Sequence, residues 1–143
     1  MNGSAIRVLV VEDFDPWRDF VRSTFQRQPE LQIIGEATDG LEAIRKAKEL
    51  QPDLVLLDVG LPGINGIDAA REIRQDVPKA KILFLSESHS WEVVTEAMRA
   101  GGSGYVVKAD AARDLLAAVN ALLRGAKFLG SRFDSENPAD VEK

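Results

Sequence analysis

Glu12 and Asp13 follow the apolar run Val8-Leu9-Val10-Val11, and Asp58 follows Leu54-Val55-Leu56-Leu57. Ser86 closes the run Ile82-Leu83-Phe84-Leu85, and Lys108 closes Tyr105-Val106-Val107. Each polar residue stands where an apolar run stops, and such runs, separated by helical segments, read as buried parallel strands. The carboxyl ends of parallel strands line one crevice, where ligands bind. Three carboxylates, a hydroxyl and an amine from four stretches of chain therefore converge on one sheet edge. Carboxylates brought this close raise one another's pKa or demand a cation. Mg²⁺ suits the position, because it takes oxygen ligands and keeps several waters. A carboxylate, a metal and a positioned lysine together fit transfer of a phosphoryl group to Asp58, in which catalysis is mostly positioning and charge neutralisation. Aspartyl phosphate is a known type of covalent intermediate. Lys108 and Ser86 would each take a phosphoryl oxygen, and Gly60, two residues past Asp58, would leave its backbone carbonyl free to reach the metal.

Strand and helix alternate five times to hold these ends in place. The first strand is read over residues 6–11. Asp15 then offers an N-cap carboxylate, with Pro16 at the first helical position, where its missing N–H does no harm. Trp17, Phe20, Val21, Thr24 and Phe25 recur at helical spacing and predict a core-facing stripe down to about residue 28, before Pro29. The run 31–37 is broken by Gln32, Gly35 and Glu36, which suits an edge strand. A helix over about 41–50 follows Asp39-Gly40 and ends at Gln51-Pro52. Residues 54–57 form the most apolar run and are expected at the centre of the sheet. A glycine- and proline-rich loop follows, then a helix marked by Ile67, Ala70, Ile73 and Val77 and a fourth strand over 82–85. Val93, Val94, Ala97 and Met98 mark the fourth helix, which Gly101-Gly102 ends in a left-handed cap. The fifth strand covers 105–107, and the last helix runs from about 110 to 124 and stops at Gly125. Right-handed crossovers turn this order into a doubly wound α/β fold, with five parallel strands and five helices. The expected division is a domain over 1–128 and a polar C-terminal tail or truncated linker over 129–143, the composition turning polar after Phe133.

The remaining composition narrows the function classes. A chain of 143 residues is about one domain. Its net charge of −5 argues against a nucleic-acid-binding surface on this domain. With no cysteine there is neither a disulfide framework nor a thiolate metal site. No apolar segment approaches the roughly 20 residues needed to span a bilayer, and the apolar stretch near the N-terminus is too short for a signal-peptide core. A soluble, cytoplasmic domain that does not engage a membrane is expected.

The motifs V-V-E-D, L-L-D-V-G-L-P-G-I-N-G, F-L-S and G-Y-V-V-K occur in order and at fitting spacings. Together they resemble the receiver domain of two-component response regulators over about residues 5–128. The segment G-Y-V-V-K-A-D-A-A-R-D-L-L-A-A-V, with Asp15-Pro16 after the acid pair, is similar to the NarL/LuxR-type subgroup. The resemblance implies a flavodoxin-like, receiver-type (βα)5 fold and a signalling role rather than an enzyme's, self-catalysed phosphorylation and dephosphorylation apart. It makes Asp58 the phosphoacceptor and places Mg²⁺ or Mn²⁺ on Glu12, Asp13, Asp58 and the Gly60 carbonyl. Lys108 becomes the fifth-strand lysine, Ser86 the switch hydroxyl and Tyr105 the switch aromatic. On phosphorylation Ser86 would move towards the phosphoryl group and Tyr105 would rotate into the vacated space. The implied donor is a histidine kinase or a histidine phosphotransfer protein. Members of the subgroup usually carry a C-terminal DNA-binding domain, for which the residues after Arg124 are too few. The output is therefore a removed effector, transcriptional in this subgroup, or a separate partner.

Three positions depart from the family pattern. The acid pair is Glu-Asp, position 109 is Ala in place of Pro, and Glu87 follows the switch serine where a small residue is common. Turned inward, Glu87 would repel a phosphoryl group and leave a phosphorylation-independent interaction module. A phosphatase with Asp58 as nucleophile needs a second acid at position 60, which is Gly60. The last helix carries more apolar surface than one stripe needs, in Leu115, Leu116, Val119, Leu122 and Leu123. This predicts a weak or phosphorylation-favoured homodimer through the first and last helices or through the fourth-helix face. His89 is expected on an exposed loop, Trp17, Phe20 and Phe25 in the core, and Trp91 either exposed or against the fourth helix.

Overall fold

The computed structural model describes residues 5–133. Strands β1 (Ile6–Val11), β2 (Leu31–Ala37), β3 (Leu54–Leu57), β4 (Lys81–Ser86), β5 (Gly104–Val107) and β6 (Phe128–Leu129) make one sheet in the order β2-β1-β3-β4-β5-β6. Every pairing is parallel. Between them run α1 (Asp15–Gln26), α2 (Gly40–Leu50), α3 (Gly66–Asp76), α4 (Trp91–Arg99) and α5 (Ala111–Leu123).

Alternation along the strands builds two apolar cores, one on each face of the sheet. Val8, Val10, Leu54, Leu56, Leu83, Leu85 and Val106 point to the side of α1 and α5, where Val21, Phe25, Leu115, Val119 and Leu122 meet them. Leu9, Val11, Val55, Leu57, Ile82, Phe84, Tyr105 and Val107 point to the other side, against Ala43, Ala47, Ile67, Ala70, Ile73, Val94 and Ala97 of α2, α3 and α4. All four residues of β3 are buried, as its position between β1 and β4 requires. Burying each such side chain contributes about 1.5–3 kcal/mol. β2 lies at the edge, and its residues are mostly half-buried.

The sheet has six strands, not the expected five. Gly125 turns the chain after α5 at φ 85°, and Phe128 N–H donates to Ser103 O at 3.1 Å, which lays β6 along β5. Two residues are too few to carry a readable alternation, so the strand leaves no sequence signal. The chain stays on the domain past position 128: Phe133 is buried, 3% exposed. The remainder of the expected tail, 134–143, lies outside the described residues.

Helix α1 starts differently from expectation. Phe14 is its N-cap and makes no side-chain cap bond, while Asp15 is already helical and pairs with Arg18. The helix ends at Gln26, two residues early. Asp39, Asn65 and Ser90 cap α2, α3 and α4 through side-chain oxygens. Much of the apolar surplus of α5 is consumed by the sheet: Ala111, Leu115, Ala118, Val119, Ala121 and Leu122 are buried, Leu116 is half-buried and Leu123 is 37% exposed.

The loop after β3 folds back on the strand end. Gly66 N–H donates to Val59 O at 2.8 Å, and a Cβ on Gly66 would overlap the Asp58 carbonyl and lie 2.8 Å from Val59 Cα. Both neighbours are backbone, so neither can swing away. Gly66→Ala is expected to lower unfolding free energy by about 1–3 kcal/mol or more in urea titration, the usual penalty for overpacking. Gly60→Ala, where a Cβ meets nothing within 4 Å, should change it by less than roughly 0.5 kcal/mol.

Candidate functional site

Strand register brings the polar ends together. Val11 pairs with Leu57, Leu57 with Phe84 and Ser86 with Val107, so Glu12, Asp58, Ser86 and Lys108 leave the sheet at neighbouring points of one edge. Asp58 N–H donates to Val11 O at 3.0 Å and Glu12 N–H to Ala37 O at 3.0 Å, which extends the ladder to the acids themselves. The cavity at this edge has a volume of about 520 Å³ and is lined by Glu12, Asp13, Asp58, Ser86 and Lys108, with Phe14, Trp17, Glu87 and Val93 at its walls.

Glu12, Asp58, Ser86 and Lys108 are buried, and Asp13 is exposed. One carboxylate oxygen from each of Glu12, Asp13 and Asp58 lies within 4.8 Å of the others. Lys108 is the cation among them: its Nζ is 2.9 Å from Glu12 Oε1 and 3.5 Å from Asp58 Oδ2. The contact to Glu12 is an ion pair whose direction is poor for a hydrogen bond, leaving Oε1 buried without a hydrogen-bond partner. Glu12 Oε2 accepts from Phe14 N–H at 3.1 Å, and Asp58 Oδ1 accepts from Gly60 N–H at 3.2 Å. Burial pushes the Glu12 carboxyl above the ordinary glutamate value, against the pull of Lys108. Burial likewise pushes Asp58 up, opposed by Lys108 and the Gly60 N–H and assisted by the charge of Asp13. Three carboxylates against one ammonium, with an oxygen lacking a hydrogen-bond donor, make a hard oxygen donor set short of positive charge. The residues fit a divalent cation.

The switch candidates lie on the α4 side. Ser86 Oγ accepts from Ser88 N–H at 3.1 Å, and the Tyr105 hydroxyl donates to Ser88 O at 2.8 Å. The Tyr105 ring, assigned to rotate into the space Ser86 vacates on phosphorylation, is fully buried beside Phe84. The Ser88 carbonyl gives the hydroxyl a partner inside the fold, and burial raises the phenol's pKa. His89 is exposed, as expected.

Two aromatics belong to the site that periodicity assigned elsewhere or passed over. Trp17 packs half-buried against the core on the α1 side, as expected, and Lys108 Nζ also sits 5.1 Å from its ring centroid. That distance allows a cation–π attraction, about 0.5–2 kcal/mol. Phe14, next to the acid pair, is 56% exposed on the cavity rim. The available signal was position: both residues belong to the turn that leaves β1 at the carboxyl edge.

A family model of the response regulator receiver domain matches residues 8–120. The response regulator protein VraR of Staphylococcus aureus is 36% identical over 120 residues, 84% of this chain and 57% of VraR. The chain thus spans little more than half the length of the curated relatives it matches. A two-component response regulator of the LuxR family from Aurantimonas sp. SI85-9A1 superposes with a TM-score of 0.90 at 33% identity, covering 98% of this chain and 100% of the other. The signal receiver domain of NarL from Mycobacterium tuberculosis superposes with a TM-score of 0.80 at 27% identity, over 85% of this chain and 98% of the other.

The raised pKa of Asp58 gives a pH signature. Between the ordinary carboxylate value and the folded value, the folded chain holds a proton that the unfolded chain has lost. Stability therefore falls as pH rises through that window and stays lower above it. Asp58→Asn removes this dependence. In urea titrations without divalent cations, the variant's stability relative to wild type should rise from about pH 4 to neutrality. A margin that shrinks over the same range would contradict the assignment.

Proposed function

The chain belongs to the response regulator receiver family, and on that footing we propose that Asp58 is the residue that accepts the phosphoryl group. The observation that carries this is a buried carboxylate at the carboxyl end of β3, within 3.5 Å of Lys108 Nζ and clustered with Glu12 and Asp13. An Asp58 carboxylate oxygen attacks phosphorus, the O–P bond forms, and the donor's bond to phosphorus breaks with its electron pair staying on the donor. From a histidine kinase or histidine phosphotransfer protein that donor atom is an imidazole nitrogen; from acetyl phosphate it is an acetate oxygen. Lys108 and the Ser86 hydroxyl bind the equatorial oxygens, on which charge spreads in the transition state.

Receiver domains bind Mg²⁺ through acidic residues, and Glu12, Asp13 and Asp58 with the Gly60 carbonyl are the groups assigned to hold Mg²⁺ or Mn²⁺ here. Bound there, the cation supplies positive charge to the transferring oxygens. Phosphorylation adds about one further negative charge and new acceptor oxygens at the sheet edge. The Ser86, Ser88 and Tyr105 hydrogen bonds carry that change to the α4–β5–α5 face. The reading is of a cytoplasmic signalling domain over about 1–128 that turns over no external substrate. It controls an effector, transcriptional in this subgroup, or a separate partner. Its own surface is acidic overall and does not engage DNA or a membrane, and no helix among the described residues is long and apolar enough to cross one. A weak homodimer is part of the reading, with the exposed edge of α5 as one side.

One observation bears on a second reading: Glu87 lines the same cavity as Asp58, with its side chain exposed to solvent. Its charge would hinder an incoming phosphoryl group and leave a module that works unphosphorylated. The phosphatase alternative lacks its general acid, because position 60 is Gly60.

Intact mass after incubation with acetyl phosphate separates these readings. Wild type with Mg²⁺ should gain one phosphoryl group, chelation should prevent it, and Asp58→Asn should gain none. Lys108→Met should label about 10²-fold more slowly, the usual effect of removing one such donor. Labelling of Asp58→Asn, or none of wild type, would overturn the phosphoacceptor assignment; in the second case Glu87→Ala is the variant to label next.

A further inference from the structure

The segment after α5 is docked on the fold by three independent sets of contacts. Phe128 and Leu129 pair in parallel with Gly104 and Tyr105, as β6 on the β5 edge. Arg132 makes two bonds to the Asp110 carboxylate, at 2.7 and 3.0 Å, at the entry to α5. Phe133 is buried with its ring edge-on to Trp91, centroids 5.1 Å apart, and edge-on to Tyr105 at 6.3 Å. The segment thus covers the β5 edge and reaches α4 through Trp91.

The seat of Phe133 is tied to the functional site by a short chain of hydrogen bonds. Ser86 Oγ accepts from Ser88 N–H, Ser88 O accepts from the Tyr105 hydroxyl, Ser88 Oγ accepts from Ser90 N–H at 3.2 Å, and Ser90 caps α4, whose first residue is Trp91. Both aromatics under Phe133 are therefore positioned by the loop that begins at Ser86. We propose that residues 128–133 form an autoinhibitory strap: its docked state and a phosphoryl group on Asp58 oppose each other through the Ser86–Ser88–Tyr105 hydrogen bonds. The inference rests on Asp58 being the phosphoacceptor. A Ser86 hydroxyl drawn to the phosphoryl oxygens releases Ser88 N–H, the loop shifts, and the Trp91–Tyr105 seat loses its shape. Phe133 then leaves, and the β5 edge becomes free. Coupling between two sites is reciprocal in free energy, so loosening the strap must favour the arrangement that phosphorylation selects.

The test is hydrogen–deuterium exchange of the full chain with Mg²⁺, before and after incubation with acetyl phosphate. Intact mass on the same samples gives the phosphorylated fraction. Exchange across residues 127–133 should speed up at least tenfold in the phosphorylated fraction. As the reciprocal arm, read at equilibrium with beryllofluoride as the phosphoryl mimic, Phe133→Ala should bind it in the presence of Mg²⁺ roughly 3–10-fold more tightly than wild type. Arg132→Gln, which leaves the aromatic core intact, should bind it more tightly in the same direction. If the adduct forms while exchange across the strap stays unchanged or slows, or if both variants bind beryllofluoride no more tightly than wild type, the strap is not autoinhibitory, although Asp58 remains the acceptor. If no adduct forms, the phosphoacceptor reading fails and the strap's role fails with it.

Discussion

The structure depends on holding three carboxylates and one ammonium at the end of a buried sheet. Coulomb repulsion among Glu12, Asp13 and Asp58 is tolerable only because Lys108 stands between two of them and Asp13 keeps its face to solvent. The fit is deliberately incomplete in charge: burial raises the pKa of Glu12 and of Asp58 in spite of the lysine. A site fully neutralised by its own side chains would have no excess negative charge to offer a cation. Surrounding elements serve this imbalance. β1 and β3 set the acids side by side through their register, and the 3₁₀ turn at Lys108–Asp110 turns the lysine inward before α5 begins.

Parallel strands make the arrangement economical in sequence. Each strand ends at the same edge, so one polar residue after each apolar run is enough to populate a site. Those runs were legible because β1, β3, β4 and β5 are buried on both faces and must be continuously apolar. Glu12, Asp58, Ser86 and Lys108 stood out for the same reason: each closes an apolar run at the same edge of the sheet. The edge position of β2 was readable from Gln32, Gly35 and Glu36, which a central strand would not accept.

What escaped the sequence has local physical causes. Trp17 follows the helical stripe of α1 and packs against the core as expected; its second role, a ring 5.1 Å from Lys108 Nζ, depends on a tertiary contact that periodicity does not show. Asp15 had the chemistry of a cap, yet Glu12 reaches Phe14 N–H first and the helix begins one residue earlier. The partner of the Tyr105 hydroxyl was not readable either: the Ser88 carbonyl that accepts from it is contributed by a loop of no regular pattern. Phe133 sits just before the composition turns polar, and only its tertiary partners Trp91 and Tyr105 make it part of the core.

The placement of Trp17 has an optical consequence. The chain contains two tryptophans, and this one lies against the lysine that neutralises the site. Indole emission responds to nearby charge, so any event that draws Lys108 away from the ring alters the protein's own ultraviolet fluorescence. Trp91, seated against Phe133, lies at the far end of the loop that leaves Ser86. The molecule therefore carries a native chromophore at each end of the path between its charged edge and its C-terminal segment, and both can be read without attaching a label.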